Sequence, residues 1–183
     1  PLLFVLAALM SYVIPLQISF KIVTVLGTFL LPIFAFFAMK LMKFKFPVPI
    51  IAAIFTLPFL FNQGNSMWGG NIPSTLAGEF SYSFSLALTI LFFGFLYKGI
   101  ETKKYGLTNS ILFAGIAFSH IYTMLFAFFS SAFFLLEKTK KSVQNFFYLF
   151  KIYLIAFLLI SFWFIPFVFN LEYTTPYNFA WIF

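Results

Sequence analysis

The sequence predicts an all-α fold: a polytopic bundle of transmembrane helices with one re-entrant helical hairpin. Three observations predict it. First, 63% of the 183 residues are hydrophobic and 25% are aromatic, while only 8% are charged; a typical soluble domain carries about 25% charged residues. A chain of this length in water has no interior large enough for 33 Phe, so bilayer hydrocarbon is the solvent that suits it. Second, 11 lysines stand against four glutamates, with neither Arg nor Asp, and most of the lysines sit in short runs between apolar stretches. Cytoplasmic loops of membrane proteins are marked in this way. Third, one apolar stretch, residues 106–136, is too long for a single span and is basic at both ends.

Each segment follows from length and punctuation, since a spanning helix needs about 20 apolar residues. Residues 1–15 read as the short end of a span. Residues 22–39 form a second apolar segment, closed by Lys40, Lys43 and Lys45. Residues 48–61 are short and carry Pro49 and Pro58, which suggests a tilted, kinked or partly inserted helix. The longest weakly apolar stretch follows, GNSMWGGNIPSTLAGEFSYS at 64–83. Residues 80–97 make a fourth segment, closed by Lys98, Lys103 and Lys104, and residues 146–169 make the last.

Lysine bias assigns the sides. Segments 40–45 and 98–104 are expected to face the cytoplasm. The loop 62–79, with no Lys and one Glu, is expected on the opposite face. A single helix over 106–136 would carry one lysine cluster outward and, at 1.5 Å per residue, would be about 45 Å long against a hydrocarbon core of about 30 Å. Two half-length helices turning near Ser119–His120 meet both constraints. Residues 170–181, NLEYTTPYNFAW, then lie on the same face as 62–79.

The chain begins in PLLFVLAAL and ends in NFAWIF, each inside apolar sequence, with no signal-peptide charge pattern ahead of the first segment. It reads as one transmembrane domain over 1–183, a piece of a longer polytopic protein. The +7 net charge is not gathered on a soluble face, so nucleic acid is not an expected partner, whereas membrane lipids are. With no Cys and one His, disulfides, thiolate chemistry and a structural zinc site are not expected. No Walker loop, GxSxG or HExxH occurs, so nucleotide hydrolysis and soluble-type hydrolase chemistry lack a motif.

The candidate site residues are few. His120 is the only histidine and is expected at membrane depth, where ionisable groups face a cavity or a partner. It either contacts an anionic substrate group such as a phosphate, or caps the turn by bonding a nearby carbonyl or Ser119. Glu79 either stabilises the first turn of the fourth helix, with Ser74 as an N-cap and Gly78 leaving room for close helix approach, or acts chemically beside Tyr82. In the second case it binds a sugar hydroxyl, serves as a base or ligates a divalent metal ion, the one cofactor left open. Trp68, Gly69, Gly70 and Asn71 form WGGN. Paired glycines reach backbone geometries closed to other residues, and tryptophan suits either a sugar face or the interfacial belt; the cluster reads as a shaped binding loop. Tyr173 and Asn178 belong to a polar, aromatic patch after the last span.

WGGNIPSTLAGEFSYSFSLAL, FSHIYTMLF and FWFIPFVFNLEYTTPYN together resemble an integral-membrane family labelled "6-pyruvoyl-tetrahydropterin synthase-related". That family is similar to the C-type membrane glycosyltransferases, and the resemblance covers most of 60–183. It implies transfer of a sugar from a polyprenyl-phosphate donor, acting as the partner lipid, on the extracytoplasmic face of a prokaryotic plasma membrane. It also implies that Glu79 and His120 stand in or beside the donor cavity. C-type enzymes carry a catalytic Asp or Glu in their first extracytoplasmic loop, and with no Asp in the chain the catalytic acid is expected upstream of Pro1. A transporter or lipid-handling protein, or a non-catalytic membrane subunit, is the alternative.

Overall fold

The computed structural model describes residues 1–64, 66–136 and 140–174, and every regular element among them is helical. Helices α1 (Leu2–Met10), α2 (Leu16–Leu41) and α3 (Val48–Leu60) come first. A short α4 (Ile72–Ser74) passes through a π-helical turn (Thr75–Glu79) into α5 (Phe80–Thr102). Then follow α6 (Gly106–Ser119), α7 (Ile121–Ser131) with a 3-10 extension (Ala132–Leu135), α8 (Lys140–Phe169) and a 3-10 turn (Leu171–Tyr173).

Among the described residues, three stretches are long and apolar enough to cross a bilayer: Leu16–Leu41, Ile72–Thr102 and Lys141–Phe169. Half of the α5 span is buried inside the bundle, against 11% for α8. So α5 is the central post, and α8 shows most of its phenylalanines to the outside. This inverts the pattern of a soluble helix, because lipid tails solvate Phe and Leu as well as other side chains do.

The α2–α5 seam is built on small residues. Gly27 lies against the backbone of Ser83 and Phe84, and a Cβ on Gly94 would sit 2.6 Å from the Cα of Ala38. These paired positions rise together along the chain, so α2 and α5 run parallel, and the exposed Lys43–Glu101 ion pair joins their lysine-rich ends. Such a pair is worth about 1 kcal/mol at most; backbone proximity at the glycines holds the seam. The two basic segments therefore share one end of the bundle.

The core of the second half lies between α5, α6 and α8, with Phe92, Leu96, Ile116 and Ile152 fully buried. Helix α6 runs antiparallel to α5: Ser85 Oγ donates to the Ile116 carbonyl at 3.1 Å, and Asn109 Nδ2 to the Phe95 carbonyl at 3.2 Å. The helix stops at His120, whose backbone is extended (φ −153°, ψ 127°), where the sequence predicts the break. Along α7 the register with α5 reverses, His120 lying on Tyr82 and Phe126 on Phe93. Near the start of α8, Lys103 Nζ donates to Asn145 Oδ1 at 2.5 Å, while Asn145 Nδ2 donates to the Phe134 carbonyl at 3.0 Å. The two ends of 103–136 thus meet the same turns of α8.

Several expectations need correction. The second helix begins at Leu16, six residues before the expected 22, because Ser19 is buried with its hydroxyl on the Ile14 and Pro15 carbonyls, so the polar residues of this first turn are satisfied. The irregular loop is shorter than 62–79, since helix resumes at Ile72. Its N-cap is Asn71, not Ser74: Asn71 Oδ1 accepts from the Ser74 N–H at 2.9 Å. Gly78 does not mediate close helix approach, as a Cβ there would meet nothing within 4 Å. Its role is conformational: φ is +124°, which opens the π turn and which other residues rarely adopt.

Candidate functional site

The lysine-poor end of the bundle is shaped by the loop 61–71. Asn62 Oδ1 accepts from the Gly64 N–H, and Asn71 Nδ2 donates to the Asn62 carbonyl at 2.8 Å, so two asparagine side chains close the loop. Gly69 (φ +81°) lies flat on the Tyr82 ring, where a Cβ would come within 2.5 Å of Cδ1. Gly70 (φ +88°) lies on Phe59 and Leu86 in the same way. The paired glycines let the main chain lie against two aromatic rings, and that contact orients Tyr82. Trp68 is 76% exposed and points away from the buried part of the loop.

The Tyr82 ring meets His120 edge-on at 5.0 Å, and the Tyr122 ring lies 5.6 Å from His120 in a tilted arrangement. His120 Nε2 stands 3.9 Å from Glu79 Oε2. That separation exceeds a hydrogen bond and leaves room for a shared ligand atom. Glu79 makes no capping bond to α5, so its carboxylate is available to the site. Nor does His120 cap the break with its side chain; Ser119 Oγ donates to the Gly115 carbonyl instead. His120 Nδ1 is buried and has no hydrogen-bond partner among the described residues. For His120 the capping alternative is not the arrangement the side chain adopts, whereas Glu79 occupies the N-cap position of α5 without a side-chain bond to it.

Two cavities adjoin this cluster. The smaller, about 240 Å³, is lined by Tyr82, Leu86, Tyr122, Thr123 and Phe126. The larger, about 500 Å³, lies between α6, α7 and α8, with His120 in its wall. A buried ladder braces the region from behind. Thr75 and Ser83 share a hydrogen bond at 2.6 Å, Ser85 bonds Thr123, and Thr89 Oγ1 donates to the Ser85 carbonyl.

The structure thus brings together Glu79, His120 and Tyr82, with Gly69 touching Tyr82. Asn71 supports the loop from a buried position rather than facing the site. Tyr173 is exposed just beyond the far end of α8, and Asn178 lies outside the described residues. Tyr122 was not singled out from the sequence; its place two residues after His120, in HIY, is the signal that could have marked it. No group of three or more His, Cys, Asp or Glu that could hold a metal occurs among the described residues.

No curated protein and no solved structure matches the chain. Residues 1–182 match the family described as the 6-pyruvoyl-tetrahydropterin synthase related domain, a membrane protein, and together with the apolar helices this places the chain in that integral-membrane family.

Proposed function

We propose that this protein is a membrane glycosyltransferase of the C-type class, moving a sugar from a polyprenyl-phosphate donor to an acceptor on the extracytoplasmic face. The observation that carries the reading is the Glu79–His120 pair, 3.9 Å apart, with Tyr82 and Tyr122 against the imidazole at the lysine-poor end of the bundle. An imidazole at a helix break, in a wall that is otherwise apolar, suits contact with a phosphate oxygen of the donor. A carboxylate across from it, 43% exposed, suits a sugar or acceptor hydroxyl, which it would orient or deprotonate. Tyr82 and Tyr122 offer ring faces and hydroxyl groups along the smaller cavity.

The topology in this reading places Lys40–Lys45 and Lys98–Lys104 in the cytoplasm and makes 106–136 a re-entrant hairpin with His120 at its tip. Its support is the contact of both ends of 103–136 with the first turns of α8. A non-spanning pair of helices at membrane depth must be shielded by protein, and α5 and α8 provide that shield on two sides. In the plasma membrane of a prokaryote the site would then open to the cell exterior, towards the envelope.

The test is transfer from a radiolabelled polyprenyl-phosphate hexose in proteoliposomes of the intact protein. Glu79→Gln and His120→Ala should each lower turnover by at least about tenfold, since a positioned proton-transfer group typically contributes about 10²–10⁴-fold. Unchanged transfer in both variants overturns the assignment. A second reading, a lipid-handling protein that moves its substrate without forming a glycosidic bond, draws on the ionisable pair at a broken helix, a common feature of substrate pathways. Movement of labelled lipid between leaflets, with no glycosylated product, decides for it.

A further inference from the structure

A helix that stops inside the bundle leaves carbonyls that lipid cannot satisfy. At the break between α6 and α7 two of them matter, Ile116 in the last turn of α6 and His120 itself. Each accepts one backbone N–H: His120 N–H donates to the Ile116 carbonyl at 2.9 Å, and Met124 N–H to the His120 carbonyl at 3.2 Å. Each also meets one side-chain hydroxyl. Ser85 Oγ, from α5, lies 3.1 Å from the Ile116 oxygen, and Thr123 Oγ1, from α7, lies 2.9 Å from the His120 oxygen. The two hydroxyls are bonded to each other, and both residues are buried.

The result is a chain of oxygens across the break, running Ile116, Ser85, Thr123, His120. Each hydroxyl has one proton to donate, so the pair donates onward either to Ile116 or to His120. In both arrangements the carbonyl left without a hydroxyl proton keeps its backbone N–H. The carbonyls are therefore satisfied without the bridge. What the bridge adds is a tie that joins the end of α6, the start of α7 and the middle helix α5 at one point.

The imidazole needs such a tie. Its Nδ1 has no hydrogen-bond partner among the described residues, and its Nε2 stands 3.9 Å from Glu79, beyond hydrogen-bond reach. No hydrogen bond orients the ring, so its place follows from its own backbone and from the Tyr82 and Tyr122 rings. Tyr82 and Ser85 are three residues apart on α5 and share one face of that helix. One meets the imidazole, and the other holds the backbone that carries it.

We propose that Ser85 and Thr123 are positioning residues for His120: their hydroxyl bridge clamps the helix break and thereby sets the imidazole against Tyr82 and Glu79. The effect on turnover rests on the transferase reading, whereas the placement of the ring does not.

The test is nuclear magnetic resonance of the intact protein in lipid nanodiscs, grown with isotope-labelled histidine. His120 is the only histidine in the 183 residues, and loss of its signal in His120→Ala assigns it. The unaltered protein should give one set of imidazole signals with cross-peaks to the Tyr82 ring. Thr123→Val keeps the side-chain shape and removes the hydroxyl; it should shift or split those signals and lose the cross-peaks at a nearly unchanged thermal midpoint. Ser85→Ala should do the same, and Ser85 is in the wall of neither cavity, so a lost ligand contact does not account for it. Thr123→Ser, which keeps the hydroxyl, should restore the unaltered signals. Combining Ser85→Ala with Thr123→Val should add little to either alone, since the two act through one bond. In the transfer assay each single variant should lower kcat about ten- to hundredfold at unchanged KM, the scale of a misplacement of about 1 Å. Should Thr123→Val fail to fold, Ser85→Ala decides alone. Signals unmoved in either folded variant, signals moved equally by Thr123→Ser, or full turnover in both single variants overturn the proposal. Moved signals with rescue by Thr123→Ser, in a protein that forms no glycosyl product, keep the clamp and remove only the transferase.

Discussion

At the scale of single residues, conformation and side-chain contact separate positions that look alike in composition. Gly69 and Gly70 have positive φ and lie against rings, whereas Gly78 has positive φ and open space around it. Gly78→Ala therefore tests backbone strain alone and should cost about 1–3 kcal/mol, read as a lowered thermal midpoint in detergent. Gly69→Ala meets both strain and the Tyr82 ring, so it should also displace Tyr82 from His120 and lower activity more than stability alone explains. Asn71→Ala removes a cap whose loss typically costs about 1 kcal/mol, together with the tie to the Asn62 carbonyl. Protease cleavage within 61–71 should rise as that loop opens. None of these outcomes could be ranked from WGGN as a string, because the string does not say which ring each glycine touches.

At the scale of elements, the seams differ in what holds them. The α2–α5 seam depends on close backbone approach at Gly27 and Gly94, so Gly94→Leu should push the helices apart and lower the thermal midpoint strongly, by several degrees or more. The α5–α7 contact includes the Ser85–Thr123 hydrogen bond. Interhelical hydrogen bonds in membranes average about 0.6 kcal/mol, so Thr123→Val should be nearly silent in stability. If Thr123→Val proves as damaging as Gly94→Leu, this ordering of seams is wrong. The helix break at His120 was legible from the length of 106–136 and the basic residues at both its ends. The start of α2 at Leu16 was not, because polar Gln17 and Ser19 and charged Lys21 hid six helical residues that α1 and the preceding carbonyls satisfy.

For the whole molecule, the chain has no native cysteine, so single-cysteine labelling reads topology without background. Cysteines placed at Lys43, Lys103 and Leu136 should be reached by a membrane-impermeant maleimide from one side only. One placed at Trp68 should be reached from the other. Labelling of Lys103 and Leu136 from opposite sides would make 106–136 a through-going span and would remove the shared site at its tip.

The sequence by itself determined the solvent, the helical class, the approximate spans and the point where the long apolar segment breaks. These depend on local quantities: apolar run length, lysine placement and the reach of a helix per residue. Only the tertiary structure decided that Glu79, at the N-cap position of α5, turns its carboxylate to His120 instead of capping, that Tyr122 joins them, and that the same imidazole lines an aromatic cavity with Trp163. These facts join residues 79, 120, 122 and 163, which meet because α5 and α8 hold the broken segment between them. In a chain this rich in phenylalanine, one apolar side chain reads like the next until packing assigns it to lipid, to the core or to a cavity wall.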